Sequence, residues 1–291
     1  MTRLTIVHET RYSYERPVAF GPHRLLLRPR DSHAIRVVDA SLSLSPQGET
    51  RWVFDAIGNC VCWFAPKGPA TELAITSTLV IERYPAPLAP FRPDDPHTAT
   101  PIVYSAEDRK VLAPFMSPDT DDEEAVLVAW LHAHMNSPDE PALDFLLRLN
   151  QSIRNDFAYQ PRHENGVQAP SETVRRLSGT CRDFAWLMVE TLRRLGYAAR
   201  FVTGYLHDPA CTARGAGATH AWCEVFLPDI GWTEFDPTNG LAESADLIPV
   251  AATRTPMEAC PITGSLIGDP GHRELHVRVE VTPGDQLSAA A

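Results

Sequence analysis

GTCRDFAWLMVETLRRLG, residues 179–196, is the stretch whose reading decides the fold. Its apolar positions Phe184, Leu187, Met188, Leu192 and Leu195, with Thr191 on the same stripe, follow the i, i+3, i+4, i+8, i+11 spacing of one helical face. Gly196 suits a left-handed C-cap, and Arg193 and Arg194 stand in the last turn, where cations favour the helix dipole. Upstream, Ser178-Gly179-Thr180 supplies loop and N-cap chemistry, which puts Cys181 in or next to the first turn. Backbone N–H groups there lack intrahelical acceptors, so they favour a thiolate and can donate to a developing oxyanion. A buried structural cysteine more often lies on the apolar stripe. Cys181 precedes it.

Downstream, residues 219–227 alternate, with His220, Trp222, Glu224 and Phe226 on one strand face and Ala221, Cys223, Val225 and Leu227 on the other. Pro228-Asp229-Ile230-Gly231 reads as a turn and 232–236 as the return strand. A four-residue loop pairing Leu227 with Trp232 would put His220 and Asp236 on opposite faces. A register shifted by one, through a five-residue loop or a bulge, pairs Phe226 with Trp232 and Trp222 with Asp236. His220 then lies diagonal to Asp236, roughly 7 Å or less between Cβ atoms. The second register is the one predicted.

The strings GTCRDFA, VTGYL, HAWCEVFLP and WTEFDPTNG together resemble the transglutaminase-like superfamily of papain-related thiol enzymes, especially bacterial and archaeal members with a β-rich N-terminal region. The resemblance implies Cys181 as nucleophile, His220 as base and later acid, and Asp236 as the group orienting the imidazole. It also implies attack on an amide carbonyl through a thioester that passes to an amine or to water. The C-terminal stretch carries no strong motif beyond Asn239. Tyr159 or Gln160, in the FAYQ segment before the nucleophile, is the candidate oxyanion side chain. Trp222 and Trp232 either wall the acyl site or form cross-strand packing.

The chemistry follows from the residues alone. His220 takes the Cys181 proton, the thiolate adds to the carbonyl, first-turn N–H groups hold the oxyanion, and His220 protonates the departing amine. Asp236 fixes the tautomer and stabilises the imidazolium. With the resemblance, the expected activity is cysteine-dependent acyl transfer at an amide bond of a protein or peptide, as glutamine transamidation or as protease and amidase hydrolysis. The alternative is a non-catalytic binding module that retains the fold, against which the intact Cys, His and Asp argue.

A chain of 291 residues suits one large or two ordinary domains, and with 44% hydrophobic residues it can bury its core without disulfides. The net charge of −11 argues against nucleic acid and anionic membranes as partners. No apolar run approaches about 18 residues and the MTRLTIVHETRYSY start lacks a signal-peptide core, so a cytoplasmic address is expected. No cofactor or metal is expected. Asp119-Thr120-Asp121-Asp122-Glu123-Glu124 lacks the spacing and glycine of a calcium loop and reads as acidic helix capping. His132 and His134, two apart, do not share a helical face. Cys60 and Cys62 lack zinc-knuckle spacing, Cys211 and Cys260 read as free thiols, and Cys223 as core.

The expected fold class is α+β. Residues 1–84 form a β-sandwich, with strands at 4–14, 24–29, 34–45, 51–55, 59–64 and 72–84. A proline-rich linker spans 85–101. Residues 102–291 form a papain/transglutaminase-like catalytic domain with helices at 123–134, 141–155, 171–177 and 180–195 and strands at 199–207, 219–227 and 232–236. The alternating strand 274–282 can return to the N-terminal sheet, and unpaired sheet edges permit a homodimer.

Overall fold

The computed structural model describes residues 1–84, 100–122, 125–135, 140–162, 166–210, 212–215, 217–228 and 230–284. Most of the proline-rich stretch, Cys211 and part of the acidic run at 119–124 lie outside them.

The N-terminal strands are β1 (Thr2–Phe20), β2 (His23–Leu25), β3 (Ile35–Ser45), β4 (Gly48–Phe54), β5 (Cys60–Pro66) and β6 (Ala70–Arg83). The rest of the chain contributes α1 (Ala106–Met116), α2 (Val126–Ala133), α3 (Ala142–Asp156), β7 (Ala158–Tyr159), α4 (Pro170–Arg176), β8 (Ser178–Gly179) and α5 (Cys181–Arg194). There follow β9 (Ala199–Leu206), β10 (His220–Leu227), β11 (Gly231–Asp236), β12 (Leu241–Ala242), β13 (Leu247–Thr253), β14 (Ile262–Thr263), β15 (Leu266–Ile267) and β16 (Arg273–Pro283).

The architecture is α+β. One sandwich sheet runs β15-β1-β6-β3 with β16 also on β1, and its partner runs β14-β2-β5-β4. Inward-facing Leu25, Leu27, Cys62, Phe64, Leu73 and Ile75 fill the space between them, the alternation a two-layer packing requires. β16 lies antiparallel to β1 from Leu4–Pro283 to Tyr14–Arg273, so the end of the chain completes the sheet that its beginning opens.

A third antiparallel sheet, β12-β11-β10-β9-β13, lies between α5 and the sandwich. Ala221, Cys223, Val225 and Leu227 of β10 pack in one core with Phe184, Leu187, Met188 and Leu192 of α5. Tyr205, Ile248 and Val250 pack on Leu4, Ile6, Ile35, Leu79 and Ile81 of the sandwich. At Gly204 the strands approach so closely that a Cβ would lie 2.2 Å from Ile248 O and 2.7 Å from the Trp222 ring. Only glycine fits there.

Besides the short strands β7, β8, β12, β14 and β15, three elements depart from expectation. α1 was not expected, because Pro114 sits inside it and Leu112 is its one fully buried residue, leaving no apolar stripe to read. β13 contains Pro249, a residue that argues against a strand, and a register shift between Pro249 and Ala251 accommodates it. Finally, α5 is not half-exposed: it is buried on nearly every side, Glu190 and Arg193 included. The charges off its apolar stripe are there because they pair with one another and with Asp119.

Candidate active site

Thr180 is the N-cap of α5 and Cys181 its first helical residue. Asp183, fully buried, fastens this turn. Its carboxylate accepts the Thr180 N–H and hydroxyl (both 2.8 Å), the Gln168 N–H (2.7 Å) and the Arg162 guanidinium (2.8 Å). Burial alone would raise the Asp183 pKa, but the bonds from Thr180 and Gln168 hold it below the ordinary value. Sequence reasoning missed Asp183, although Thr180-x-x-Asp183 has the spacing of a capping box.

β10 and β11 pair Phe226 with Trp232, Glu224 with Glu234 and Cys223 with Phe235, joined through residues 228–230. This is the register that puts His220 and Asp236 on one face, and His220 Nε2 lies 2.9 Å from Asp236 Oδ2 with both side chains fully buried. The other ring nitrogen, Nδ1, is buried and makes no hydrogen bond among the described residues, and Cys181 lies near enough to favour the charged ring. Burial opposes the imidazolium, yet the Asp236 carboxylate and Cys181 outweigh it and raise the His220 pKa to about 10. Burial likewise opposes the Asp236 carboxylate, but His220, Asn239 and the Thr238 N–H keep its pKa below the ordinary value.

Tyr159 reaches the same place from β7. That strand pairs in parallel with β8, Tyr159 opposite Gly179, two residues before the cysteine. A Cβ added at Gly215 would lie 3.0 Å from Tyr159 Oη and 3.5 Å from His220 Nδ1, so Gly215 roofs the imidazole and the phenol together. Burial first, and then Cys181, push the Tyr159 pKa up to about 12, which leaves a neutral O–H donor at neutral pH. Gln160 is exposed and is tied to this region by its backbone N–H, 2.9 Å from Gly179 O.

The two tryptophans separate. Trp222 is fully buried with its ring 6.1 Å from the His220 ring, so it walls the imidazole. Trp232 is not brought to the site: it packs on Phe115 and Phe226 beneath the Arg200 guanidinium, 4.0 Å from its ring centroid. Trp232 stands four residues before Asp236 on β11, roughly 13 Å along the strand, at the turn end of the hairpin. The remaining candidates have structural surroundings. Cys223 is core, Cys62 lies in the sandwich, and Cys260 is exposed. Asp122 accepts the Leu127 and Val128 N–H groups of α2, and Asp119 pairs with Arg193 and Arg254.

Gly215 has φ of +82°, a conformation L side chains rarely adopt. Gly215→Ala is expected to cost at least tenfold in Cys181 reactivity, from strain and a Cβ crowding the phenol, while the thermal midpoint moves by only a few degrees. Alkylation kinetics beside a melting curve check this.

Cys181, His220, Asp236 and Tyr159 thus present a thiol at a helix start, a proton carrier held by a carboxylate and a neutral hydroxyl donor. Comparison with known proteins agrees with the fold. Residues 130–237 match the transglutaminase-like superfamily, and residues 4–82 match the bacterial transglutaminase-like N-terminal region. The chain belongs to the transglutaminase-like superfamily. It is 29% identical to an uncharacterized protein of Mycobacterium tuberculosis, over 99% of this chain and 95% of that one. To an uncharacterized protein of Mycobacterium leprae it is 28% identical, over 97% and 99%. Its fold is similar to the crystal structure of a candidate cysteine protease from Cytophaga hutchinsonii, with a TM-score of 0.73, 19% identity, and coverage of 100% of this chain and 92% of that one.

Proposed function

We propose that the protein is a cysteine-dependent acyl-transfer enzyme acting at amide bonds of proteins or peptides. Cys181 attacks the carbonyl and His220 gives its proton to the departing amine. The resulting thioester is resolved by an amine, as in glutamine transamidation, or by water, as in hydrolysis. Asp236 keeps the imidazole oriented and charged. Tyr159 Oη and the first-turn N–H groups of α5 donate to the oxyanion. The observation that carries the reading is the fully buried His220–Asp236 pair beside Cys181, with the imidazole's Nδ1 free of any hydrogen bond among the described residues.

The protonation sign is testable. With its pKa raised to about 10, His220 stays imidazolium through neutral pH. The His220–Asp236 ion pair is therefore the resting state. Its acid function persists below that value and disappears as pH rises through it. Acyl transfer is expected to hold a plateau across neutral pH and to fall toward pH 10. Carboxamidomethylation of Cys181 by iodoacetamide should proceed well below pH 7, where a free thiol, with a pKa of about 8.5, reacts slowly. Reaction that rises only near pH 8.5, in wild type as in His220→Ala, would contradict the proposal.

A further inference from the structure

We infer that Asn239 is a positioning residue that couples the Asp236–His220 pair to the loop roofing the site. This rests on the acyl-transfer reading for its consequences but not for its geometry. Asn239 Nδ2 donates to Asp236 Oδ2 at 3.0 Å, the same oxygen that faces His220 Nε2. The Asn239 backbone N–H lies 3.4 Å from Oδ1. On its other side, Oδ1 of Asn239 accepts the Arg214 N–H at 2.8 Å, and Nδ2 lies 3.4 Å from Arg214 O. Arg214 immediately precedes Gly215, which covers the imidazole and the Tyr159 phenol.

One carboxamide therefore grips both the carboxylate and the roof. Only a side chain with a donor and an acceptor on one short planar group makes both contacts. A carboxylate would lose the donor, a serine the reach, and an alanine both. Beyond Gly215, Gly217 O accepts the Val279 N–H of β16 at 3.2 Å, so the loop is anchored to the C-terminal strand on one side and to the active-site carboxylate on the other. Asn239 is the anchor that touches the chemistry. Second-layer groups of this kind, in metal sites where they are best measured, are worth about 10–100-fold.

Asn239→Asp sharpens the inference. It keeps the shape but sets a second carboxylate against Asp236, and two carboxylates this close do not both ionise freely. As pH falls and the pair takes up one proton, a donor returns. The variant is then expected to recover part of its Cys181 reactivity on the acidic side, whereas Asn239→Ala stays low at every pH.

The test measures amide exchange of Arg214 and the His220 Nε2–H resonance by NMR, together with Cys181 alkylation from pH 4 to 9, in wild type, Asn239→Ala and Asn239→Asp. The expected result is faster exchange at Arg214 and broadening of the His220 proton in Asn239→Ala. Alkylation should slow about 10–100-fold, and Asn239→Asp should recover selectively at low pH. Wild-type exchange and an unshifted His220 proton in a folded Asn239→Ala would overturn the inference. If wild-type Cys181 alkylates like an ordinary thiol, the acyl-transfer reading fails separately, and the exchange and resonance data still decide the role of Asn239.

Discussion

Asp236→Asn is expected to lower acyl transfer by about four orders of magnitude while leaving the fold intact, the scale seen when a triad loses its orienting carboxylate. The reason is tautomeric. The Thr238 N–H holds Oδ1 of residue 236 at 2.9 Å, so an amide there keeps its oxygen on Thr238 and turns its nitrogen to His220. That nitrogen donates, so Nε2 must accept, and the ring proton moves to Nδ1, the nitrogen left for Cys181. The ring can then no longer take the thiol proton. The same nitrogen meets the Asn239 Nδ2 donor, which is left unpaired. The His220 pKa, now without its carboxylate, should drop from about 10 toward or below the ordinary 6.5. Two readouts check this: loss of turnover, and a shift of the alkaline limb to lower pH. Loss of turnover with the limb still near pH 10 would show that Asp236 does not hold the imidazolium.

The second large effect concerns stability. Glu190 is fully buried in α5, where its carboxylate accepts the Asp119 and Thr120 N–H groups (3.0 and 2.9 Å) and the Thr120 hydroxyl. Arg193 at 3.4 Å and Arg194 at 3.0 Å complete its surroundings. Glu190→Ala would leave Arg193, itself only 2% exposed, short of one of its two carboxylates, and two backbone donors of the segment before α2 without acceptors. Breaking one partner of a buried pair costs about 3–5 kcal/mol. For a chain of this size that lowers the thermal midpoint by roughly 5–8 °C. Glu190→Gln, which keeps one acceptor oxygen, should lose less. A midpoint for Glu190→Ala within a degree or two of wild type would show that the cluster contributes only as surface charge does.

The elements that carry the candidate site were legible because each follows a strong local rule. The stripe from Phe184 to Leu195 fixed the helix, Thr180 fixed its start, and the alternation around His220 with the turn at 228–231 restricted the hairpin to two registers. The chemistry chose between them, since only one joins His220 to Asp236. What stayed hidden depends on contacts far apart in sequence. Gly215 reads as an ordinary loop glycine until Tyr159 is folded against it. Asp183 reads as a first-turn acid until Arg162 and Gln168 arrive. Trp232 shares its strand face with Asp236, and only distance along the hairpin removes it from the site. α5 looked amphipathic because pattern cannot distinguish a solvated charge from a buried one paired with Asp119.

The most direct test of the central claim is intact-mass spectrometry of a glutamine- and lysine-containing peptide library incubated with a primary amine and either wild type or Cys181→Ala. Amine-adducted, deamidated or cleaved peptides formed by wild type and absent with Cys181→Ala are the predicted result, with adducts marking transamidation and the others hydrolysis. Products formed equally by both proteins, or by neither while Cys181 alkylates as an ordinary thiol, would contradict it.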